Sequence, residues 1–247
     1  MIYIVLPAYN EEKTLPPLLR EIRENMIESG NPYKVLIVED GSTDGTAMAI
    51  REAAATMPVE EIRHEVNRGL SEALKSGLSV AQREASSRDI IITMDSDNTH
   101  TPGLILRMTR LIREGYDVVI GSRYTPGARV VGVPFYRRVL SYFASLLFRI
   151  LFPIRGVKDY TSGYRAYRAN VIQDMFRYYG NDFINRPGFS CMVDILLKIR
   201  RHHAIVGEAP LILRYDLKEG ESKMRVARTI WETLSLVLQR ILENVHR

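Results

Sequence analysis

The first half of the chain alternates short apolar runs with segments of helical spacing. The apolar runs are rich in β-branched residues and are predicted as strands at Ile2–Leu6, Tyr33–Val38, Glu60–His64, Ile90–Met94 and Asp117–Ile120. The segments between them are predicted as helices at Glu12–Ile27, from the EDGSTDGT turn to about Ala55, at Leu70–Ala85 and at Pro102–Arg113. This alternation predicts an α/β fold with a mostly parallel, Rossmann-like sheet and helices on both faces.

The pattern changes at Pro134, where the segment PFYRRVLSYFASLLFRILFPIRG is apolar and basic and has no acidic residue. Its longest mostly apolar run, Val139–Phe148, is about half of the roughly 20 residues that a membrane-spanning helix needs, so no transmembrane segment is predicted. Basic residues flank the aromatic and aliphatic ones, which fits a helix lying among lipid headgroups. These basic residues are Arg137, Arg138, Arg149, Arg155 and Lys158.

The remainder of the chain is predicted to hold a helix around Ser190–Arg201, a strand at Ala209–Leu213 and a last helix from about Val226. Apolar residues recur at helical spacing in the last helix, at Ile230, Leu234, Val237, Ile241 and Val245, with Trp231 beside them. Three interpretations of this helix stay open: it lies on a membrane, packs on the domain, or meets a partner.

Polar clusters follow four of the predicted strands: PAYNE, EDGS, DSD and GSRY. In open parallel sheets, ligands bind beyond the carboxyl ends of the strands, so these clusters are expected to share one site. Asp95 and Asp97 lie two residues apart at a strand end, which sends both carboxylates to the same side. Such a pair suits Mg²⁺ or Mn²⁺, with water and phosphate oxygens as the other ligands. Alternatively, the two aspartates cap the next helix; a calcium loop is excluded, because His100 and Leu106 stand where glycine and glutamate are needed.

The acid at the end of the second strand, Asp40, is of the kind that contacts a nucleotide's ribose or base. The first turn, LPAYNEEKTL, has no glycine and the chain has no P-loop motif, so the pattern favours a single nucleotide over a dinucleotide. Arg68 of NRGL is expected near a phosphate or base. The alternatives are that Asp40–Ser42 build a turn and that NRGL caps a helix.

Composition narrows the class of protein. With 247 residues, 46% hydrophobic and 26% charged, the chain is expected to be soluble and globular with a substantial core. Cys191 is alone, which excludes an internal disulfide and favours a reducing, cytoplasmic setting. No basic-then-apolar leader precedes the first strand, so no signal peptide is expected. The net charge of +5 is compatible with phosphates, nucleic acid or anionic membrane as partners.

The motifs PAYNE, EDGSTDGT, NRGL, MDSD, GSRY and DYTSGYR resemble, in order and spacing, the inverting family 2 glycosyltransferases of the GT-A fold. The likeness extends from Ile2 to about Met224 and is strongest to polyprenyl-phosphate (dolichol-phosphate) mannose or glucose synthases. It implies a catalytic domain over 1–223, with a nucleotide-binding half at 1–121 and an acceptor-binding half at 122–223. An amphipathic helix over 224–247 completes the predicted organisation.

The resemblance also implies roles for individual residues. The implied nucleotide-binding residues are Pro7, Ala8, Tyr9, Glu11, Asp40, Arg68 and Asp95. Asp95 and Asp97 are the implied metal ligands, and Asp97 and Arg123 the implied catalytic residues. The implied ligands of the acceptor's phosphate are Arg123, Arg137, Ser141, Arg214 and Lys223. Two departures from the family pattern are Thr99, where glutamine is common, and Leu217, where an arginine is expected; Lys218 or Arg214 are candidates to replace that arginine.

The implied reaction is metal-dependent transfer of a hexose, with mannose favoured, from GDP-mannose rather than UDP-glucose to a polyprenyl or dolichyl phosphate. It would take place at the cytoplasmic face of a membrane, where a membrane-spanning partner subunit is compatible with the sequence. A phosphate acceptor is already largely anionic at neutral pH and needs no strong base. A sugar-hydroxyl acceptor would need a base, with Asp159 the first candidate. The alternatives are a soluble GT-A transferase acting on a glycan hydroxyl and a non-catalytic nucleotide-binding module. Nucleic acid is disfavoured, because the aromatic residues of the basic region sit among aliphatic ones and the two metal-type aspartates would repel a nucleic-acid backbone.

Overall fold

The computed structural model describes residues 1–218, 231–232, 235–238 and 240. The strands are β1 Ile2–Ala8, β2 Tyr33–Asp40, β3 Val59–His64, β4 Ile90–Thr93, β5 Val118–Ser122, β6 Arg129–Val131, β7 Arg165–Arg168, β8 Val206–Pro210 and β9 Ile212–Arg214. The α-helices are α1 Leu15–Ser29, α2 Thr46–Ala54, α3 Leu70–Glu84, α4 Leu104–Arg113, α5 Phe135–Leu151, α6 Ala169–Tyr179 and α7 Ser190–Arg200. Short 3₁₀ turns lie at Gly180–Phe183 and Tyr215–Leu217.

The main sheet has the strand order β3-β2-β1-β4-β7-β5-β8. β7 is antiparallel to both of its neighbours and the other pairs are parallel, so the predicted mostly parallel sheet is confirmed. The sequence did not predict β7, because its letters RAYR carry arginines at both ends. Arg165 is nevertheless fully buried, and its guanidinium donates to the carbonyl oxygens of Ser162, Met192 and Tyr160 at 2.7–2.9 Å. Those bonds satisfy a cation that would otherwise be costly to bury.

The predicted strand at Ala209–Leu213 is divided in the structure. Val206–Pro210 pairs with β5, whereas Ile212–Arg214 pairs with β6 in a separate two-stranded sheet. This division carries the chain out of the main sheet and along the loop that follows β4. The His100–Leu213 bridge and the bond from the Arg214 N–H to the Thr99 carbonyl at 2.9 Å hold it there. Residues that are far apart in the sequence are thereby placed beside the aspartate pair.

Helices cover both faces of the sheet, as predicted. On α1, the buried residues Leu15, Leu18, Leu19, Ile22 and Met26 recur at helical spacing and pack on one face with α4. On the opposite face, α3, α6 and α7 pack in a second apolar cluster. Gly77 of α3 brings that helix close to β1, because a Cβ at this position would lie 2.4 Å from Val5 Cγ1. Each buried leucine contributes roughly 1.5–3 kcal/mol to folding.

Helix α5 is the exception, because it buries only Ser145 and Phe148. Its exposed apolar residues are Phe135, Tyr136, Leu140, Tyr142, Phe143, Ile150 and Leu151. Among the residues that the structure describes, no helix is long and apolar enough to cross a membrane.

The described part of the C-terminal segment contacts the domain. Leu236 and Val237 are buried in the cluster that contains α3, α6 and α7, while Trp231 is 74% exposed. Arg240 forms a buried ion pair with Asp194 of α7. Of the three interpretations, packing on the domain therefore holds for these residues. Ile230, Leu234, Ile241 and Val245 lie outside the described residues, as does the predicted phosphate ligand Lys223.

Candidate active site

The polar segments that follow β1, β2 and β4 are hydrogen-bonded to one another at one edge of the sheet. Ser96 of the DSD segment donates its hydroxyl to the Pro7 carbonyl at 2.6 Å. Asn10 donates its N–H to the Ser42 hydroxyl at 3.0 Å, and its side-chain oxygen accepts the Thr43 N–H at 2.8 Å. The predicted meeting of these segments beyond the carboxyl ends of the strands is therefore confirmed.

The residues implied to line the nucleotide pocket begin at the end of β1. Ala8 is its last residue and is buried opposite Glu39, whereas Tyr9 and Glu11 are half-buried. Glu11 donates its backbone N–H to the Thr46 hydroxyl at 2.8 Å, and its carboxylate accepts the Thr14 hydroxyl. The turn is thus fixed against the start of α2, while the contacts of Pro7, Ala8, Tyr9 and Glu11 with a nucleotide stay predictions.

Asp40, at the end of β2, is almost completely buried and holds the NRGL turn. Its Oδ1 accepts the Arg68 N–H at 2.9 Å, its Oδ2 accepts the Gly69 N–H at 2.8 Å, and His64 Nδ1 lies 2.7 Å from Oδ1. The Arg68 side chain is exposed, so only the backbone of Arg68 takes part in these contacts. A carboxylate offers about four acceptor positions, and the described residues occupy three of Asp40's.

Asp95 and Asp97 follow β4, as predicted, but the strand ends at Thr93, so the two-residue alternation of a strand does not extend to them. Their surroundings differ. Asp97 Oδ1 accepts the Thr99 hydroxyl at 2.6 Å, and its Oδ2 lies 2.5 Å from Lys218 Nζ. Burial alone would raise the pKa of Asp97, but Lys218 and Thr99 outweigh it and hold the pKa below its ordinary value. Asp95 is 34% exposed. Partial burial raises its pKa, and the carboxylates of Asp97 and Glu11 act in the same direction, opposed by His100 and Lys218.

The donor set fits a divalent cation that is shared with a substrate. Within residues 1–218, 231–232, 235–238 and 240, no three His, Cys, Asp or Glu side chains are placed to enclose a metal ion. Two carboxylates two residues apart supply hard oxygen ligands on one side only, which is the arrangement for Mg²⁺ or Mn²⁺ that keeps water and phosphate oxygens. Thr99, which replaces the family's glutamine, is hydrogen-bonded to Asp97 and so orients that carboxylate.

His100 supports the aspartate pair and was missed by sequence reasoning, which used this position only to exclude a calcium loop. Its Nδ1 accepts the Asp95 N–H at 3.2 Å, and its ring stacks on Tyr164 with centroids 4.8 Å apart. His100 is 5% exposed. The sequence around His100 did not indicate this supporting role, because the role depends on stacking against Tyr164, which lies 64 residues further along the chain.

Arg123, at the end of β5, forms a two-pronged ion pair with the fully buried Asp159. Nε and Nη2 donate to the two carboxylate oxygens at 2.8 and 2.7 Å, and Nη2 also reaches the Thr161 hydroxyl at 2.6 Å. Although burial opposes charge on both groups, their attraction raises the pKa of Arg123 and lowers that of Asp159. In contacts with described residues, Arg123 Nη1 has no partner, so two N–H donors remain for an oxyanion.

The same ion pair makes Asp159 unsuited to remove a proton. A general base needs a pKa near the working pH, whereas the guanidinium of Arg123 holds the pKa of Asp159 below its ordinary value. Asp159 also accepts the backbone N–H groups of Thr161 and Ser162 at 3.3 and 3.2 Å. Asp159 therefore holds Arg123 and the DYTSG loop in place. A transferase that acts on a sugar hydroxyl would need a general base, and Asp159, the first candidate for that base, is unsuited to the role.

Two tyrosines that the sequence reasoning did not single out connect the residues implied to bind the acceptor. Tyr124 donates its hydroxyl to Ser141 at 3.1 Å, and its ring faces the Arg123 guanidinium. Tyr215 accepts a hydrogen bond from Arg137 Nη1 at 2.8 Å, and its ring faces Lys218.

Arg214 turns instead to Asp216 and pairs with it at the surface, with N···O distances of 2.8–3.2 Å. Of the two candidates to replace the arginine missing at Leu217, Lys218 is the one whose side chain contacts the aspartate pair.

Residues 3–176 match the family model described as glycosyl transferase family 2. The chain belongs to this family. The predicted family and the predicted class of enzyme, a glycosyltransferase, are confirmed.

Three relatives have names that state a polyprenyl phosphate acceptor or its mannose product. The chain is 34% identical over 234 residues to the dolichol-phosphate mannosyltransferase of Pyrococcus furiosus, covering 94% of this chain and 61% of that protein. It is 33% identical to the undecaprenyl-phosphate mannosyltransferase of Micrococcus luteus, covering 90% and 87%. It is 30% identical to the polyprenol monophosphomannose synthase of Mycolicibacterium smegmatis, covering 90% and 80%. The chain thus spans less than two thirds of the Pyrococcus protein.

Solved structures establish the fold. The glucosyl-3-phosphoglycerate synthase of Mycobacterium tuberculosis, crystallised with Mn²⁺, UDP and phosphoglyceric acid, superposes with a TM-score of 0.68. Its sequence identity to the chain is 19%, and the match covers 98% of this chain and 78% of that one. A second crystal structure of the same enzyme, with Mg²⁺ and UDP bound, gives the same TM-score. The predicted GT-A fold is therefore confirmed.

Proposed function

We propose that this chain transfers a hexose, with mannose favoured, from a nucleoside diphosphate sugar to a polyprenyl phosphate at a membrane surface. GDP-mannose is the proposed donor, and Mg²⁺ or Mn²⁺ the proposed cofactor. The observation that carries this proposal is the pairing of Arg123 with Asp159 beside the Asp95–Asp97 pair. It supplies an oriented cation for a phosphate and leaves Asp159, the first candidate for the base that a hydroxyl acceptor would require, unsuited to that role.

The donor half of the proposal rests on the end of β4. A divalent cation held by Asp95 and Asp97 would offset the charge that develops on the departing diphosphate. Lys218 brings a further positive charge to the same place, 2.5 Å from Asp97. The crystal structures of the glucosyl-3-phosphoglycerate synthase with Mn²⁺ or Mg²⁺ and UDP support this assignment by fold. At the end of β2, the carboxylate oxygens of Asp40 suit a base that presents an N–H, as uracil and guanine do.

The acceptor half rests on Arg123, Arg137 and Ser141. A phosphate monoester is largely dianionic near neutral pH, so its oxygen can attack the anomeric carbon without losing a proton. The bond from that carbon to the diphosphate breaks as the new bond forms, which inverts the configuration. Arg123 Nη1 suits a phosphate oxygen as a charged N–H donor, while the paired Nε and Nη2 donors of the same guanidinium are used by Asp159. The names of the three relatives support a polyprenyl phosphate acceptor.

The membrane-surface part of the proposal rests on α5. This helix exposes Phe135 at 78% and Phe143 at 60%, and Arg138 and Arg149 are exposed on the same helix. An amphipathic helix with aromatic residues and arginines binds the interface of an anionic bilayer. A helix that binds there would bring Arg137 and Ser141 to the depth at which a lipid phosphate lies.

A transfer assay tests the proposal. The protein is incubated with labelled GDP-mannose or UDP-glucose, Mn²⁺ or Mg²⁺ and a short polyprenyl phosphate, and label is counted in the organic phase. We expect metal-dependent label from GDP-mannose. Free labelled sugar without labelled lipid would favour a hydroxyl acceptor, and the absence of metal-dependent donor binding would favour a non-catalytic nucleotide-binding module.

A further inference from the structure

A chain of polar side chains, in which Asp40 and His64 are buried and Ser76 is half-buried, connects the end of β2 to helix α3. His64, the last residue of β3, is 5% exposed, and its Nδ1 lies 2.7 Å from Asp40 Oδ1. Its Nε2 lies 2.9 Å from the hydroxyl of Ser76 on α3. Neither the sequence motifs nor the family resemblance assigns a role to His64 or Ser76.

The chemistry of Asp40 fixes the direction of its own hydrogen bond with His64. An ionised carboxylate only accepts hydrogen bonds, so His64 Nδ1 carries the proton that is shared with Oδ1. Nε2 is then the ring nitrogen that shares a hydrogen bond with the Ser76 hydroxyl. Asp40 also receives the N–H groups of Arg68 and Gly69. The orientation of its carboxylate is thus set by three donors from β3 and the NRGL turn.

Packing alone does not require a polar chain at this place. The inward residues of α3 next to Ser76 are apolar or small, with Leu74, Gly77 and Leu78 buried. A group of hydrogen-bonded polar side chains in such surroundings rarely stabilises the fold more than apolar side chains of similar shape would. The carboxyl end of β2 is also where a parallel sheet binds ligands, and Asp40 leads directly into the EDGS segment.

We infer that His64 is a positioning residue of the nucleotide site. It holds the Asp40 carboxylate so that the one acceptor position not used by described residues faces the N–H of a uracil or guanine base. Ser76 fixes the other side of the imidazole. This inference rests on the proposed function, because it takes Asp40 as the contact to the base.

A matched pair of variants tests the inference. In His64→Asn, the side-chain amide lies near the position of Nδ1 and can still donate to Asp40. In His64→Gln, the amide reaches the position of Nε2 and loses that bond. GDP and UDP are titrated in the presence of Mn²⁺ by calorimetry, and donor KM and kcat are measured separately. We expect His64→Gln to weaken binding of the preferred nucleotide roughly tenfold and His64→Asn to change it less than about threefold.

Ser76→Ala tests the other side of the imidazole. We expect this variant to fold, because alanine has a higher helix propensity than serine. We expect it to weaken nucleotide binding by about threefold, with the loss in donor KM rather than in kcat. Equal losses in His64→Asn and His64→Gln, or none in His64→Gln, would overturn the role of His64. If the wild-type protein binds neither GDP nor UDP, the proposed function itself fails, which is a distinct result.

Discussion

Lys218 Nζ lies 2.5 Å from Asp97 Oδ2, so an ammonium group from the segment after β9 neutralises one of the two carboxylates that follow β4. Both side chains are mostly buried, with exposures of 14% and 15%. The attraction also raises the pKa of Lys218, against the opposing effect of burial. A divalent cation bound by Asp97, as proposed, would compete with Lys218 for Oδ2.

Replacing Lys218 by methionine should strengthen the binding of Mn²⁺ alone. The variant keeps the length of the apolar stem but removes the charge that competes for Asp97. We expect an affinity gain of about tenfold, equivalent to about 1.4 kcal/mol. The gain is measured by titrating Mn²⁺ and following its electron paramagnetic resonance signal.

Arg214→Met is the matched control, because Arg214 lies four residues earlier on the same segment and pairs with Asp216. We expect its Mn²⁺ affinity to equal that of the wild type. If Lys218→Met also leaves the affinity unchanged, Lys218 does not compete with the cation in solution.

Asp97→Asn should abolish most of the transfer of sugar. The amide retains the shape of the side chain but has one weak oxygen ligand and no charge, so the metal is lost. We expect turnover to fall by roughly 100-fold or more in the transfer assay, and Mn²⁺ affinity to fall with it. Full activity in this variant would exclude Asp97 as a metal ligand.

Asp159→Asn should change how stability depends on pH. Because the folded pKa of Asp159 lies below its ordinary value, its ionised form stabilises the fold above about pH 4, and this contribution is lost as the pH falls through the folded pKa. At pH 7 the variant leaves Arg123 without its partner, and we expect a loss of about 3 kcal/mol in the free energy of unfolding. Urea unfolding between pH 3 and 7 should show this difference shrinking below about pH 4. A difference that is constant with pH would contradict the ion pair.

Phe135→Ser and Phe143→Ser should each weaken binding to vesicles of phosphatidylcholine and phosphatidylglycerol in equal parts. Both rings are exposed on α5, and losing a buried phenyl ring costs about 1.4 kcal/mol or more, which is at least tenfold in partitioning. Cosedimentation with the vesicles measures the effect.

Met48→Ser is the control for vesicle binding. Met48 is 63% exposed, but it lies on α2 beside β2 and β3, at the other end of the sheet from β5 and β8. If all three variants bind vesicles equally, α5 is not the membrane-binding surface.

Leu236→Ala should lower the free energy of unfolding by about 2–5 kcal/mol, because Leu236 is buried in the core cluster of α3, α6 and α7. Trp231→Ala should change it by less than about 0.5 kcal/mol, since this side chain is 74% exposed. Urea unfolding compares the free energies of unfolding of the two variants.

Deleting the residues after Val226 should also give an unstable product, because the deletion removes Leu236 from the core cluster. Small, equal effects would indicate that the C-terminal segment does not pack on the domain in solution.

Local patterns accounted for much of the fold and for the location of the site. Apolar runs of strand length alternating with helical spacing indicated the parallel sheet, and the polar segments after the strands indicated the edge where ligands bind. The apolar run before Asp95 and Asp97 placed both aspartates after the fourth strand, at that edge, before any tertiary contact was known. These features follow from backbone periodicity, which the sequence records directly.

The sequence alone thus determined the alternation of strands and helices in the first half of the chain, the family, and the position of the two aspartates after the fourth strand. Only the tertiary structure decided which charges meet. It placed β7 antiparallel inside the sheet, paired Lys218 with Asp97 across 121 residues, and made Asp159 the partner of Arg123 instead of a free base. The physical reason is that an ionic or hydrogen-bonded side chain takes its partner from whatever the fold brings within about 3 Å, and that partner leaves no periodic trace in the sequence.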